Sequence, residues 1–291
     1  MLARQCAREC FPGHEENKID VVMLMKMEKA VESAVAEFKD QGLDNLLRRA
    51  RARLDGELKY ERRPEAAVGV VKSPLGDLLV AMAGRGIVLL HYLADDRDLA
   101  LTIEKVRWQL DLIEDPRAVR RVGDEIRRYL AGDRSALRQK IDLSLVASPF
   151  QQKVLRKLAE IPRGAVISYQ ALGAVAGAPK GARAVGNAMH NNPVPIYVPC
   201  HRVIASGGGL GGYGGGAGRK LQLLRSEGFA LGDKDVKLPG SSVWGHQGTK
   251  IYCRMDCRAA ARADRSRMLF FAHPTDARRA GLRPCKICRP V

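Results

Sequence analysis

The chain has 291 residues, with 49 Lys and Arg against 32 Asp and Glu, for a formal net charge of +17. That length accommodates two compact domains and a small module, and the charge favours a polyanionic partner bound through counterion release. No apolar run approaches the ~18 residues of a membrane helix, which argues against a membrane protein. The longest run near the start is only Val21 to Met25. With no secretory signal recognised, the expected location is the cytoplasm, where the seven cysteines read as thiols or metal ligands rather than disulfides.

Residues 1–64 read as a helical extension. Ile19, Met23, Met27, Ala30, Val31, Ala34, Val35 and Phe38 follow the i, i+3, i+4 spacing of one buried face. Gly42 interrupts it, and Leu43, Leu46, Leu47, Ala50 and Leu54 begin a second stripe. Arg48, Arg49, Arg51 and Arg53 lie on that second helix, where a solvated face is the ordinary reading. Cys6, Cys10 and His14 have metal-compatible spacing but lack a fourth ligand.

Residues 65–146 read as a small α/β subdomain. Val68–Val71, Ser73–Gly76, Leu78–Met82 and Gly86–Tyr92 are expected as successive strands. Helices are expected around Leu99–Leu112 and over Val119–Leu130, the second ending at Gly132. Nothing in this segment has catalytic spacing, so its expected role is structural.

Residues 147–232 form the expected reactive half. Gln151–Ile161 predicts an amphipathic helix. Ser168 can cap the next, Tyr169–Val175, which Gly177 and Pro179 terminate. A further helix runs from about Lys180 to His190. Two short helices joined by a glycine-containing turn fit a helix-turn-helix, although on spacing alone an ordinary helical hairpin is the better reading. The exposed side of Gly181–Met189 is lined with small residues, which lets a helix approach a sugar-phosphate wall closely. After it comes Asn192-Pro-Val-Pro-Ile-Tyr-Val-Pro-Cys200-His201-Arg202-Val203. A thiol beside a histidine and an arginine is placed for ionisation, whereas a bare Cys-His pair would more often be a structural cysteine. Gly207–Gly218 is glycine-rich and precedes a helix from Arg219 to Glu227. It lacks the Gly-Lys-Ser/Thr of a phosphate-cradling loop.

The tail, residues 243–291 beyond a linker at 233–242, carries Cys253-Arg-Met-Asp-Cys257 and Cys285-Lys-Ile-Cys288. The two pairs are 27 residues apart. Four thiolates so spaced suit tetrahedral zinc, which a module this small needs in order to fold.

From about Val68 to Gly228, with the Cys200 string at its centre, the chain resembles the O6-alkylguanine-DNA alkyltransferases. That resemblance implies irreversible transfer of an alkyl group from guanine O6 in double-stranded DNA onto Cys200, one lesion per chain. It further implies that Glu227 orients His201, that His201 takes the Cys200 proton through a water, and that Tyr169 turns the 3′ phosphate. Arg183 corresponds to a finger inserted into the base stack, which fits a lesion that must leave the helix before the thiol can reach it. Tyr169 or Lys220 would ease departure of the guanine. Arg202 would order the active-site turn, Asn192 the link to the cysteine, and Tyr213 the pocket wall. Gly214 departs from the family, where many relatives carry a side chain that touches the guanine oxygen.

The tail is similar to the zinc domain of the Ada proteins, in which the first zinc-bound cysteine accepts methyl groups from DNA phosphotriesters. Cys253 matches that position. The regulatory helix-turn-helix pair of those proteins is missing, and the module here follows the alkyltransferase. The expected fold class is therefore α/β plus α: an α/β amino-terminal subdomain, a helix-turn-helix-containing alkyltransferase domain, a zinc module and a helical extension. Zinc is the expected cofactor with no organic group, DNA carrying alkylated guanine the expected partner, and a monomer the expected state. The competing reading is a non-catalytic damage sensor or a zinc-dependent DNA-binding regulator. Cys200 argues against the sensor, because sensors of this type carry another residue there.

Overall fold

The computed structural model describes residues 63–205, 209–231 and 242–290. The expected helical extension up to residue 62, with its arginine cluster and the Cys6, Cys10 and His14 group, lies outside the described residues, as does the expected linker apart from Ser242.

Three strands, β1 (Glu65–Ser73), β2 (Gly76–Ala83) and β3 (Gly86–Tyr92), form an antiparallel meander. A fourth, β4 (Asp111–Glu114), adds in parallel to β1, giving the order β3-β2-β1-β4. Ser73–Gly76, expected as a strand, is instead the turn of the first hairpin. The Ser73 hydroxyl donates to the Gly76 carbonyl at 2.7 Å and accepts the Leu75 amide at 3.1 Å. Two helices flank the sheet, α1 (Asp96–Arg107) and α2 (Pro116–Leu130). The helix expected to reach Leu112 stops at Arg107, because Leu112 pairs with Ala66 on the open edge of β1. Backbone pairing with a distant strand outweighs helical spacing there. Asp95 and Asp115 cap the two helices, the second with Pro116 in its first turn.

The second half begins with α3 (Pro149–Ala159), capped by Ser148. It continues through β5 (Ala165–Ser168), α4 (Tyr169–Val175) and α5 (Ala182–His190). Ser168 caps α4 as its sequence suggests, accepting the Ala171 amide at 3.0 Å. The turn between α4 and α5 is tight: a Cβ on Gly173 would lie 2.8 Å from the Ala178 carbonyl oxygen, so only glycine permits this approach. Cys200–Arg202 form one 3₁₀ turn leading into β6 (Val203–Ile204), and α6 (Ala217–Ser226) follows the glycine-rich loop.

The tail contributes β7 (Val243–His246), β8 (Ile251–Arg254), β9 (Met268–Phe271), α7 (Pro274–Arg279) and β10 (Arg283–Pro284). Its strands join those of the preceding half in one sheet of order β10-β8-β7-β9-β5-β6. The packing is equally continuous. Val243, Tyr252, Leu269 and Phe271 share a core with Leu155, Leu172, Val185 and Leu223, and with Val122 and Ile126 of α2.

Candidate active site and metal centre

Cys200 sits at the end of a constrained approach. Ile196 adopts φ +74°, the left-handed region that a β-branched residue rarely enters. Such a residue costs about 1–3 kcal/mol and persists only where its surroundings fix it; Ile196 is 1% exposed. Asn192 pins the same segment, donating to the Val198 carbonyl at 2.9 Å and accepting the Val194 amide at 3.1 Å. Its amide also reaches the Cys200 thiol. The thiol is 6% exposed. Burial pushes its pKa up to about 11, against the Asn192 hydrogen bond, the Lys220 charge and backbone amides. At neutral pH it is therefore protonated, and a base must activate it.

A candidate for that base is next to it in sequence. His201 is fully buried, and its Nε2 lies 2.7 Å from Glu227 Oε1. Burial lowers the His201 pKa against the opposing pull of Glu227, while Arg202 and Lys220 lower it further. Burial works against ionisation of Glu227, but the Arg202 and His201 charges and their hydrogen bonds hold it well below the usual carboxylate range. A carboxylate only accepts, so the single proton of the neutral imidazole belongs on Nε2. Nδ1 keeps its lone pair, and it is buried without a hydrogen-bond partner among the described residues. Glu227 is saturated: besides His201 it accepts Arg202 Nε at 3.0 and 3.1 Å, the Gly164 amide at 3.0 Å and the Tyr129 hydroxyl. Arg202 also donates to the Ile161 carbonyl at 2.6 Å, which ties the 3₁₀ turn to the end of α3.

Cys200 opens onto a cavity of about 360 Å³. Tyr169 forms one wall, Gly186, Met189 and His190 of α5 another, and Gly212, Tyr213 and Gly214 of the loop a third. A Cβ at Gly214 or Gly186 would meet nothing within 4 Å, so glycine leaves both sides of the cavity open. Lys220 does not line it. Its ammonium is fully buried and donates to the carbonyls of Val203 and Gly212, at 2.6 and 3.1 Å, and of Leu210. Burial lowers its pKa to about 8, so its charge, placed under the loop, acts on Cys200 through space. Arg202 is likewise interior, whereas Arg183 is exposed in the first turn of α5.

Two tyrosines of the amino-terminal subdomain reach this site, although nothing in their sequence surroundings marks them. Tyr129 occupies the buried face of α2 with Val122 and Ile126 and reads as core by spacing; its hydroxyl ends on Glu227. Tyr92, the last residue of β3, bonds Tyr213 hydroxyl to hydroxyl at 2.8 Å, with the Arg219 guanidinium over its ring. The subdomain expected to be structural thus braces both the relay and the pocket wall.

The four tail cysteines converge. Cys253 lies on β8, Cys257 in the turn after it, and Cys285 and Cys288 in the turn after β10. Their sulfurs all lie within 4.8 Å of one another. Four thiolates so close fit a tetrahedral ion with bonds of about 2.3 Å. The Arg254 amide points at the Cys288 sulfur and the Ile287 amide at that of Cys285, both at 3.4 Å. Amides aimed at the sulfurs in this way orient and stabilise thiolate ligands.

Two stretches of the chain, one holding Cys200 and the other the four tail cysteines, match known families. Residues 149–229 match the family described as the 6-O-methylguanine DNA methyltransferase DNA binding domain, and residues 229–291 the metal binding domain of Ada. A methylated-DNA–protein-cysteine methyltransferase of Mycolicibacterium paratuberculosis is 42% identical over 159 residues, covering 54% of this chain and 89% of the relative. The human protein of that name is 56% identical over 84 residues, 28% of this chain and 41% of the relative. A crystal structure of Mycobacterium tuberculosis OGT in complex with DNA aligns at 35% identity with a TM-score of 0.46, covering 54% of this chain and 90% of that one. With a relative so similar over nearly its whole length, the chain belongs to the methylated-DNA–protein-cysteine methyltransferase family, extended by an Ada-type zinc-binding tail.

Proposed function

We propose that Cys200 accepts the alkyl group of O6-alkylguanine from double-stranded DNA in a single, irreversible turnover. The observation that carries the assignment is the neutral His201, whose Nε2–H is committed to Glu227 and whose Nδ1 is left with a free lone pair beside the Cys200 turn. A water relays the thiol proton to Nδ1. The sulfur forms a bond to the alkyl carbon as the carbon–O6 bond breaks, and that electron pair stays on guanine. The Lys220 charge and the Tyr169 hydroxyl offset the negative charge on the departing base. Guanine is then protonated, the imidazolium gives up its proton, and the thioether stays on the protein because it has no good leaving group.

DNA docks through α4 and α5. The small outer residues of α5 admit the backbone closely, and Arg183 fills the stack when the base swings into the cavity. Intact-mass spectrometry after incubation with O6-methylguanine DNA tests this. One methyl on Cys200 is the expected adduct, and full transfer by Cys200→Ala would overturn it. The four cysteines hold zinc as a closed structural site.

One observation favours a second acceptor at Cys253. Among the described contacts the sulfurs of Cys253 and Cys257 receive no backbone amide, unlike those of Cys285 and Cys288, so these two keep more nucleophilic character, and Cys253 is the one at the position that accepts methyl groups in the Ada domain it resembles. Exposing Cys200→Ala to DNA bearing methylphosphotriesters and mapping methylated peptides tests that reading, which an unmodified Cys253 would eliminate.

A further inference from the structure

The zinc-binding tail is hydrogen-bonded into the alkyltransferase site. One row of residues crosses the sheet from metal ligand to reactive half: Cys253 pairs with Trp244, Trp244 with Phe270, and Phe270 with Val166. One residue further along β5, Ile167 pairs with Val203, three residues after the acceptor cysteine. Strand β5 is the frame of the site. Gly164, just before it, donates its amide to Glu227, and Tyr169, just after it, lines the cavity.

The tail fixes the Gly164 end of that strand from two directions. The Ala272 amide donates to the Gly164 carbonyl at 2.9 Å. Asp276, 2% exposed, packs so closely that a Cβ on Gly164 would lie 2.7 Å from its Oδ2. Gly164 itself adopts φ +78°. Asp276 is held in turn by Arg134, at 2.6 Å, from the segment after α2. The same residue is therefore clamped by the tail through its carbonyl and serves the relay through its amide.

We propose that the zinc module is a positioning element of the O6-alkylguanine site: β9 and Asp276 hold the Gly164 peptide, so the Glu227–His201 relay depends on metal in the four-cysteine centre. Without metal the four thiols lose what draws β8 and β10 together. β9 then loses its partner β7, and β5 becomes a free edge. The inference rests on Cys200 being the acceptor and the four cysteines the metal ligands.

The test uses the full chain with O6-benzylguanine, a free base that needs no DNA. The zinc-loaded, chelator-stripped and zinc-restored forms are compared for the rate of Cys200 labelling and for hydrogen exchange. Stripping is expected to slow labelling by about tenfold or more, the scale on which small misplacements of a catalytic group act, and to raise exchange at 164–169 and 203–205. Zinc should restore both. D276N should retain one zinc per chain yet label several-fold more slowly and over a changed pH profile, because it weakens the Arg134 ion pair that holds Asp276 against Gly164 without touching the metal. Unfolding of the whole described region on stripping would also support a single cooperative fold. Unchanged labelling and exchange in the stripped chain, or two independent melting transitions, would overturn the proposal. If the loaded protein is not labelled at all, the acceptor assignment fails instead, and the exchange pattern still reports on the clamp.

Discussion

The chain holds two centres built on buried cysteines, and they prevent premature reaction in opposite ways. Cys200 is a lone thiol whose pKa burial raises to about 11. In the proposed relay it stays protonated until the neutral imidazole of His201, held by Glu227, removes its proton. The four tail cysteines lie within 4.8 Å of one another and need no base, because a bound cation stabilises thiolates directly. The first centre suits chemistry that happens once, after a base has filled the cavity. The second suits permanent cohesion of a small module. Burial alone separates neither, since Cys200 is 6% and Cys253 1% exposed; the difference lies in what accepts the proton.

The comparison breaks most sharply at the acceptor. Cys200→Ala should abolish alkyl incorporation from O6-methylguanine DNA while leaving the melting temperature and DNA affinity near their original values, as intact mass, thermal melts and gel shifts would reveal. Disabling the relay is the next largest effect. Glu227→Gln should slow labelling by roughly 10²–10⁴-fold. It should also cost about 3–5 kcal/mol of stability, because Arg202 is left as a buried unpaired charge. Denaturant titration and benzylguanine kinetics separate the two losses.

Arg183→Ala should slow repair in duplex DNA by about tenfold to a hundredfold, matching a few kcal/mol of unstacking, and leave free benzylguanine transfer unchanged. Equal slowing on both substrates would move Arg183 out of the flipping step.

Acid should act on the relay and the fold together. The His201 and Glu227 pKa values are both lowered in the folded state, so the unfolded chain binds more protons. Their stabilising contributions are fully present above the ordinary values of 6.5 and 4.5, and each is lost as pH falls from there through the folded pKa. Transfer should accordingly be insensitive to His201 titration above pH 6.5, with its acid limb below that value. The smallest effect belongs to Tyr92→Phe. Loss of one phenol hydrogen bond of about 1 kcal/mol should release Tyr213 and change labelling by roughly twofold to fivefold, most for bulky alkyl groups.

The local elements of the reactive half are legible in its sequence because their signals are local. Ser168 caps α4 where a cap is expected, and Gly177 ends it. His201 stands beside Cys200 in the chain, whereas Glu227, 26 residues from His201, is expected only from the family resemblance. The Leu99–Leu112 helix and the Ser73–Gly76 strand differ from expectation for a single reason: what decides each backbone is a partner its own spacing does not show, the β1 edge for Leu112 and the hairpin turn for Ser73. Tyr129 and Tyr92 carry no sequence signal of their roles, because a tyrosine packed on a helix face or at a strand end looks like core until its hydroxyl has a known destination.

The sequence by itself determined the local parts: a cysteine beside a histidine, two short helices joined by a glycine-containing turn, and two cysteine pairs at metal-ligand spacing, with their roles in DNA chemistry carried by the family resemblance. The tertiary structure alone decided how these parts act on one another. Only folding brings Tyr129 to Glu227, sets the Lys220 ammonium among three carbonyls beneath the loop, and runs one sheet from Cys253 to Val203. The physical reason is range. Caps, turns and ligand spacings are fixed within a few residues, whereas strand pairing and buried hydrogen bonds join residues far apart in the chain and leave no periodic trace in it.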